Sequence, residues 1–500
     1  MKYLIFILSV VTFSSVAQNV LVVDQAGGGN YLTITAAIAA ANNGDTIKVL
    51  PATYTDAFSI SKSVHLRAID TNCIIQLPSG SGIGSSSANG SIVGFKIKAN
   101  SGFSGNNFIV VGNVFEQVTI TGGGGSNDLT FSQNVMRGCT INLPMTTGNA
   151  YFADNDLYSC TMTTSHSARE LMVVNNKFNS SQINASCSST GKTVIHNNIF
   201  TQTVNTVTSA SIGSSSTRKI VFSDNTITGG NVGVSSGSNT VIIGNVIQLA
   251  NNGVTTGSLF KVYILANKIR QNLQNGIYCD IFSQQYSPSS CDSLFILNNE
   301  ISQNTSYGLY IRGASSSSYI TFKSAWVLNN VFSGNSYGFV TDRAFNGGAI
   351  IRVMNNVFIS NTTGVLSIGA SYSITDYNCA FANGNNTITG LGNITANPLF
   401  VNTAGGDFHL SSGSPCIDAG NPATTDFDLD RTRNDMGIYG GSFNWDNFNG
   451  SSANAKVFEL ALVPLNTVQG NTITINGGGM ATKANPTENT TGQQKNEAVK

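Results

Sequence analysis

The stretch Trp326-Val327-Leu328-Asn329-Asn330-Val331-Phe332 sets two asparagines between apolar runs, and its pattern recurs along most of the chain. The position of Asn330 is filled in turn by Asn113, Asn134, Asn155, Asn176, Asn198, Asn225, Asn245, Asn267, Asn299, Asn330, Asn356 and Asn378. Steps between neighbours run from 20 to 32 residues, with 21 and 22 the commonest. Two residues after each Asn comes an apolar side chain from Phe115 to Phe358, with Ala380 the small exception; three residues before it comes another, from Val110 to Val353, with Thr375 last. A fixed period with tolerated insertions is the signature of a solenoid. Each repeat reads as a short strand, a tight turn carrying the Asn, and a second short strand.

If each repeat is one coil, equivalent residues sit ~4.8 Å apart. An amide both donates and accepts, so a column of Asn satisfies turn groups that an apolar side chain would leave unpaired. The sequence therefore predicts an asparagine ladder.

Residues 1–17 read as a secretory signal, with Lys2, an apolar run from Tyr3 to Val11, and Ser15-Val16-Ala17 before the cleavage point. No later run is apolar enough to span a membrane. Charged residues make up 10% of the chain and balance at 25 of each sign, which gives nucleic acid no electrostatic purchase. The expected protein is secreted, extracellular or on the cell surface, and monomeric.

Near the N-terminus, Ile34, Ile38 and Ala41 share a helical face, and Asn42-Asn43-Gly44 stops the helix. A solenoid exposes an apolar end and open strand edges, so this helix is expected to cap the first coil. Tyr31, Thr33, the Ala-rich helix, Gly44-Asp45-Thr46-Ile47 and Pro51-Ala52-Thr53-Tyr54 resemble the opening of pectin-lyase-like right-handed parallel β-helix proteins. The Asn column resembles that family's ladder, and the likeness covers roughly residues 24–440. It implies an all-β fold, a single right-handed parallel β-helix over 18–440 with three strands per coil and an N-terminal capping helix. About fifteen coils would make a rod of roughly 70 Å. Asn397-Pro398-Leu399-Phe400, Asp407-Phe408-His409-Leu410, Ser412 to Gly420 and Asp435-Met436-Gly437-Ile438-Tyr439 resemble the closing segment of exported bacterial β-helix proteins, expected to finish the stack. A short β segment over 441–476, with strand-like runs Val457 to Val463 and Asn471 to Ile475, and a disordered polar tail over 477–500 complete the expected organisation.

Of eight cysteines, Cys139 and Cys160 each lie five residues after a ladder Asn and so stack in adjacent coils; Cys279 and Cys291 bracket an insertion. Disulfides Cys139–Cys160 and Cys279–Cys291 are expected, stacked free thiols being the alternative.

In the later coils a Gly opens a further strand: Gly276-Ile277-Tyr278-Cys279-Asp280, Gly308-Leu309-Tyr310-Ile311-Arg312 and Gly338-Phe339-Val340-Thr341-Asp342. Alternation sends Tyr278, Tyr310 and Val340 outward, and likewise Asp280, Arg312 and Asp342. In the resembled family this strand faces the groove that takes polysaccharide. Tyr278, Tyr310 and Arg343 are the candidate glycan-binding residues, and Asp280, Arg312 and Asp342 the candidate catalytic ones. The same Asp-Arg-Asp stack also suits charge pairing along an exposed sheet. The adjacent Asp pair, His-Gly and Arg-x-Lys pattern of polygalacturonase-like members is missing from the chain, as are the clustered carboxylates of calcium-dependent pectate lyases. Asp426, Asp428 and Asp430 resemble the start of a calcium loop, but Arg431 and Gly437 stand where its Gly and Glu belong. Calcium is thus an optional ligand and no other cofactor is implied. The expected function is non-catalytic binding of extracellular polysaccharide or cell-surface glycan along the flat sheet, adhesin-like or structural. The alternative is a polysaccharide lyase or glycoside hydrolase.

Overall fold

The computed structural model describes residues 18–78, 81–85, 89–98, 101–105, 108–122, 128–145, 148–167, 170–188, 191–215, 219–256, 261–280, 293–312, 324–341, 350–367, 373–423, 426–441, 456–457 and 479–480. The signal segment 1–17, Cys291, Asp342 and Arg343 lie outside the described residues, as does most of 441–500. Past Gly441 the described backbone is one antiparallel pair, Lys456–Val457 with Gly479–Met480.

Three parallel sheets of 16, 15 and 14 strands, here A, B and C, wind into a right-handed parallel β-helix. Each coil contributes one strand to each. In the coil that holds Asn330, Ser324–Leu328 lies in A, Val331–Ser333 in B and Tyr337–Thr341 in C. The longest insertions, at 281–292 and 313–323, fall between C and A, which is why the repeat can stretch without breaking its ladder.

The expected column of asparagines is continuous. Asn330 Nδ2 donates to the carbonyls of Ile296 and Leu328 at 2.8 and 3.0 Å and to Asn356 Oδ1 at 3.0 Å; its Oδ1 accepts from the backbone N–H of Asn299 at 2.9 Å. All twelve are at most 1% exposed. The left-handed backbone belongs to the residue before each ladder Asn, for example Gln133, Asp154, Asn175, Asn298, Asn329 and Asn355, with φ between 53° and 58°. The ladder Asn closes that corner with its side chain, while the preceding residue supplies the unusual dihedral.

A second corner follows four residues later, at Gln117, Gly138, Ser159, Ser180, Gln271, Gln303, Gly334 and Ser360, again left-handed. Immediately after it runs a second ladder, Asn272, Asn304, Asn335, Asn361 and Asn383, each Nδ2 donating to the next Oδ1 at 2.8–3.0 Å. Cys139, Cys160 and Ser181 occupy that same column in earlier coils. The Cys139 N–H donates to Cys160 Sγ at 3.3 Å, and the Cys160 N–H to Ser181 Oγ at 2.8 Å. Both cysteines are free thiols here, the stacked alternative to the expected disulfide. Residues in register on adjacent parallel rungs carry parallel Cα–Cβ bonds, so their Cβ atoms stay near the ~4.8 Å rung spacing, whereas a disulfide favours about 3.8 Å. Cys279 is also a buried free thiol, pushed up to about 12 by burial.

Phe332 points inward and stacks on Phe358 at 4.8 Å between centroids, one step in a core that runs the length of the coil. The helix Ile34–Ala40 covers the first rung with Ile34, Ala37 and Ile38, and the Thr33 hydroxyl caps it by accepting from the Ala36 N–H at 3.2 Å.

The C-terminal segment corrects a further expectation. Residues 397–441 do not simply close the stack; they fold back along the outside of sheet B. Met436 and Ile438 pack against Val331 and Val357. Asn298 Nδ2 donates to the carbonyls of Ile438 and Gly440 at 2.9 and 2.8 Å; Asn329 Nδ2 donates to Asn434 Oδ1 and the Asp435 carbonyl, both at 2.8 Å. In the doubled asparagines of the later coils, Asn298-Asn299, Asn329-Asn330 and Asn355-Asn356, the first binds this strap and the second builds the ladder.

Candidate functional site

Sheet C carries the expected outward columns. Tyr278 pairs in register with Tyr310, and Asp280 with Arg312. Arg312 Nη1 lies 3.6 Å from Asp280 Oδ2, and a hydrogen bond between Arg312 and the Tyr278 side chain raises the guanidinium pKa further. Val340 stands in the tyrosine column but is 3% exposed, so it adds no aromatic surface.

Two residues were missed by the sequence reading. Tyr307 and Tyr337, in register with each other, directly precede Gly308 and Gly338 and open the same strands. Tyr307 lies 4.8 Å from Tyr310 and 5.3 Å from Tyr337 between ring centroids; Tyr278 and Tyr310 are 5.4 Å apart, tilted by 55°. The residue before each column Gly was the available signal. All four rings are half-buried; Tyr307 and Tyr310 stack at 27°, while Tyr278–Tyr310 and Tyr307–Tyr337 are tilted by 55° and 35°.

A second aromatic row, on sheet A, behaves differently. Tyr263, Phe295 and Trp326 stack at 4.7 and 6.3 Å with interplanar angles of 5° and 4°. Lys219 Nζ sits 4.1 Å from the Tyr263 centroid and the Arg352 guanidinium 4.3 Å from that of Trp326. A cation covers each end, so ring faces that could stack on a sugar are already in contact. This row is a structural brace.

Other chemistry-bearing groups also resolve into structural roles. His196 Nδ1 is 3.0 Å from Ser223 Oγ and 3.3 Å from Asp224 Oδ2. In a nucleophilic triad the carboxylate and the hydroxyl engage opposite ring nitrogens; here both approach Nδ1. His65 and Ser91 repeat the His–Ser rung at 3.0 Å. Glu300, 3% exposed, lines a polar cavity of about 180 Å³ between sheet B and the Phe400–Asn402 and Asp407–Leu410 hairpin, with Arg270, Ser302 and Phe408. Ser302 Oγ donates to Glu300 Oε1 at 2.8 Å, while burial raises the carboxyl pKa.

The three carboxylates of the calcium reading have hydrogen-bond partners of their own. Asp426 accepts from Asn421 Nδ2 at 2.7 Å, Asp428 from the N–H groups of Asp435 at 3.0 Å and Gly441, and Asp430 from Thr432 N and Oγ1 at 2.9 and 2.7 Å. Asp430 closes its own turn, while Asp428 ties together the segments at Asp435 and Gly441. Among the described residues no three acidic, histidine or cysteine side chains converge as metal ligands.

Asp428 nevertheless makes the strap sensitive to pH. Burial lifts its carboxyl to about 6, and burial also raises Asp435. An acid with a folded-state pKa above its unfolded value holds its proton more tightly when folded. Its stabilisation is therefore complete below the ordinary carboxylate range and lost as pH rises through about 6. Going from pH 7 to pH 5, the parent should gain stability relative to Asp428→Asn, compared by urea midpoints. A constant difference between the two proteins across that window would contradict the assignment.

No family model matches the chain, and no curated protein does either. Solved structures that align with it include the pectate lyase Pel9A, at 13% identity over 84% of this chain and 96% of that one, with a TM-score of 0.20. The A-module of the mannuronan C-5 epimerase AlgE4 from Azotobacter vinelandii aligns at 14% identity over 72% and 90%, with a TM-score of 0.24. A PL6 family polysaccharide lyase from Pseudopedobacter saltans aligns at 12% over 71% and 84%, with a TM-score of 0.27. Those activities belong to those proteins. Among the described residues no helix is long and apolar enough to cross a membrane. On its own strand registers and ladders, the chain folds as a right-handed parallel β-helix.

Proposed function

We propose that this protein is an exported rod, at the cell surface or released from it, that binds glycan along sheet C without cleaving it. The observation that carries the reading is the group of four half-buried tyrosines, Tyr278, Tyr307, Tyr310 and Tyr337, gathered on the strands that carry the Asp280–Arg312 pair and the next one. Sugar rings present C–H faces that pack on aromatic surface, and a charged pair supplies donors and acceptors for hydroxyls. Cleavage of a glycosidic bond by two carboxyl groups needs them to face each other across roughly 5–10 Å. Here Asp280 is turned toward Arg312, and Asp342 lies outside the described residues. A monomer that uses no metal is the simplest form of this reading.

Affinity electrophoresis against a panel of neutral and acidic polysaccharides tests it, with reducing-end and unsaturated-product assays run in parallel. Retardation by at least one glycan is expected, weakened about 30-fold or more in Tyr278→Ala/Tyr310→Ala, on the scale of two aromatic contacts. No product should appear. Turnover lost in Arg312→Ala would replace this reading with the lyase or hydrolase alternative, and no retardation by any glycan would remove the binding reading.

A further inference from the structure

Cys379 and Cys416 are 37 residues apart in the chain and belong to different parts of the fold. Cys379 follows the last of the twelve ladder residues, Asn378, on the outward side of sheet B, in the column of Val331 and Val357. Cys416 lies on the strap that folds back over that sheet. Both are 0% exposed free thiols in the cluster of Phe408, Met436 and Ile438, within hydrogen-bonding reach of each other, and Cys379 Sγ also donates to the Ala396 carbonyl at 3.2 Å. Within the strap, Cys416 is positioned by Ser414 Oγ donating to the Pro398 carbonyl at 2.6 Å and by the Met436 N–H donating to the Cys416 carbonyl at 3.0 Å.

The contrast with Cys139 and Cys160 is geometric. Those two lie side by side on one surface, with parallel Cα–Cβ bonds. Cys379 points out from the coil and Cys416 points in from the strap, so their sulfurs approach from opposite backbones, the arrangement a disulfide requires. We propose that Cys379 and Cys416 form a disulfide in the mature protein, clamping the strap to the end of the solenoid. Two thiols lose two protons and two electrons to a disulfide oxidant, which is reduced to two thiols as the Sγ–Sγ bond forms. The contact between the two thiols pushes Cys416 up and draws Cys379 down, so Cys379 is the sulfur better placed to attack the oxidant.

The test uses the full chain in two preparations: exported with its own leader into an oxidising periplasm, and refolded from the reduced state in a glutathione redox buffer. Free thiols are blocked with N-ethylmaleimide in denaturant, and the linkages are mapped by mass spectrometry. A Cys379–Cys416 link after glutathione refolding is the expected result. Full alkylation of both residues there, or linkage of either to another cysteine, overturns the proposal. A link in the glutathione sample but not in the periplasmic one supports the pairing while counting against export. As a second readout, reduction should speed tryptic cleavage after Arg433 roughly tenfold or more, by opening a closed loop. In Cys379→Ala/Cys416→Ala, reduction should leave that rate unchanged; an equal acceleration there would also count against the clamp.

Discussion

Asn330→Leu is expected to cost about 4 kcal/mol of unfolding free energy, although the two side chains differ little in size. The loss comes from what the amide leaves behind. The backbone N–H and side-chain amide of Asn299 lose their acceptor, and the carbonyls of Ile296 and Leu328 lose donors at 2.8 and 3.0 Å. Asn356 Oδ1 loses a donor as well, at 3.0 Å. These groups lie inside the wall of the coil, where water cannot replace the missing partner, and each orphan costs about 1–3 kcal/mol. Urea unfolding followed by circular dichroism measures the change. A loss below about 1 kcal/mol would mean that the ladder decorates the turn without holding it.

Gly308→Ala should cost about 3 kcal/mol for a different reason. Gly253, Gly276, Gly308 and Gly338 occupy one column at the entry to sheet C, where an added Cβ would meet the backbone carbonyl of the next coil. A Cβ on Gly308 would lie 2.6 Å from the carbonyl oxygen of Gly338 and 3.1 Å from both Asn335 Nδ2 and Phe332 Cδ1. The first is backbone and the second a rung of the other ladder, so neither can move without disturbing adjacent coils. Gly112→Asn is the control. Its φ is +64°, with nothing within 4 Å of an added Cβ, and the equivalent corners carry Gln133, Asp154 and Asn175. That change should stay within about 0.5 kcal/mol, measured in the same denaturation series. If the two substitutions cost the same, crowding at the sheet C entry is not what the glycine column relieves.

The solenoid was legible because its information is local and repeated. Asn330, Val327 and Phe332 each occupy a column, and a column in register needs only its nearest neighbours in the adjacent coils. The second ladder was harder to see. Its column holds Cys139, Cys160 and Ser181 before it turns to Asn272 and its successors, so no single residue type marks it. Reading those two cysteines as a disulfide treated their stacking as proximity enough, whereas bond formation depends on the direction of Cβ.

The candidate site divides in the same way. Tyr278, Tyr310, Asp280 and Arg312 followed from strand alternation behind the glycine column. Tyr307 and Tyr337 did not, since they sit one residue before it, at the corner, where alternation no longer dictates orientation. The two aromatic rows also look alike as sequence. Only ring angles separate the closed, cation-ended stack of Tyr263, Phe295 and Trp326 from the tilted tyrosines of sheet C.

By itself the sequence determined the coil, its register, its ladder and its capping helix, because each depends on side chains a constant step apart that meet by stacking. Tertiary structure alone decided that residues 397–441 turn back over sheet B, that Asn298 and Asn329 hold them, and that Cys416 arrives opposite Cys379. Those contacts join segments that repeat nothing, so no periodicity announces them. They exist only once the coil has presented a finished apolar face for the strap to cover.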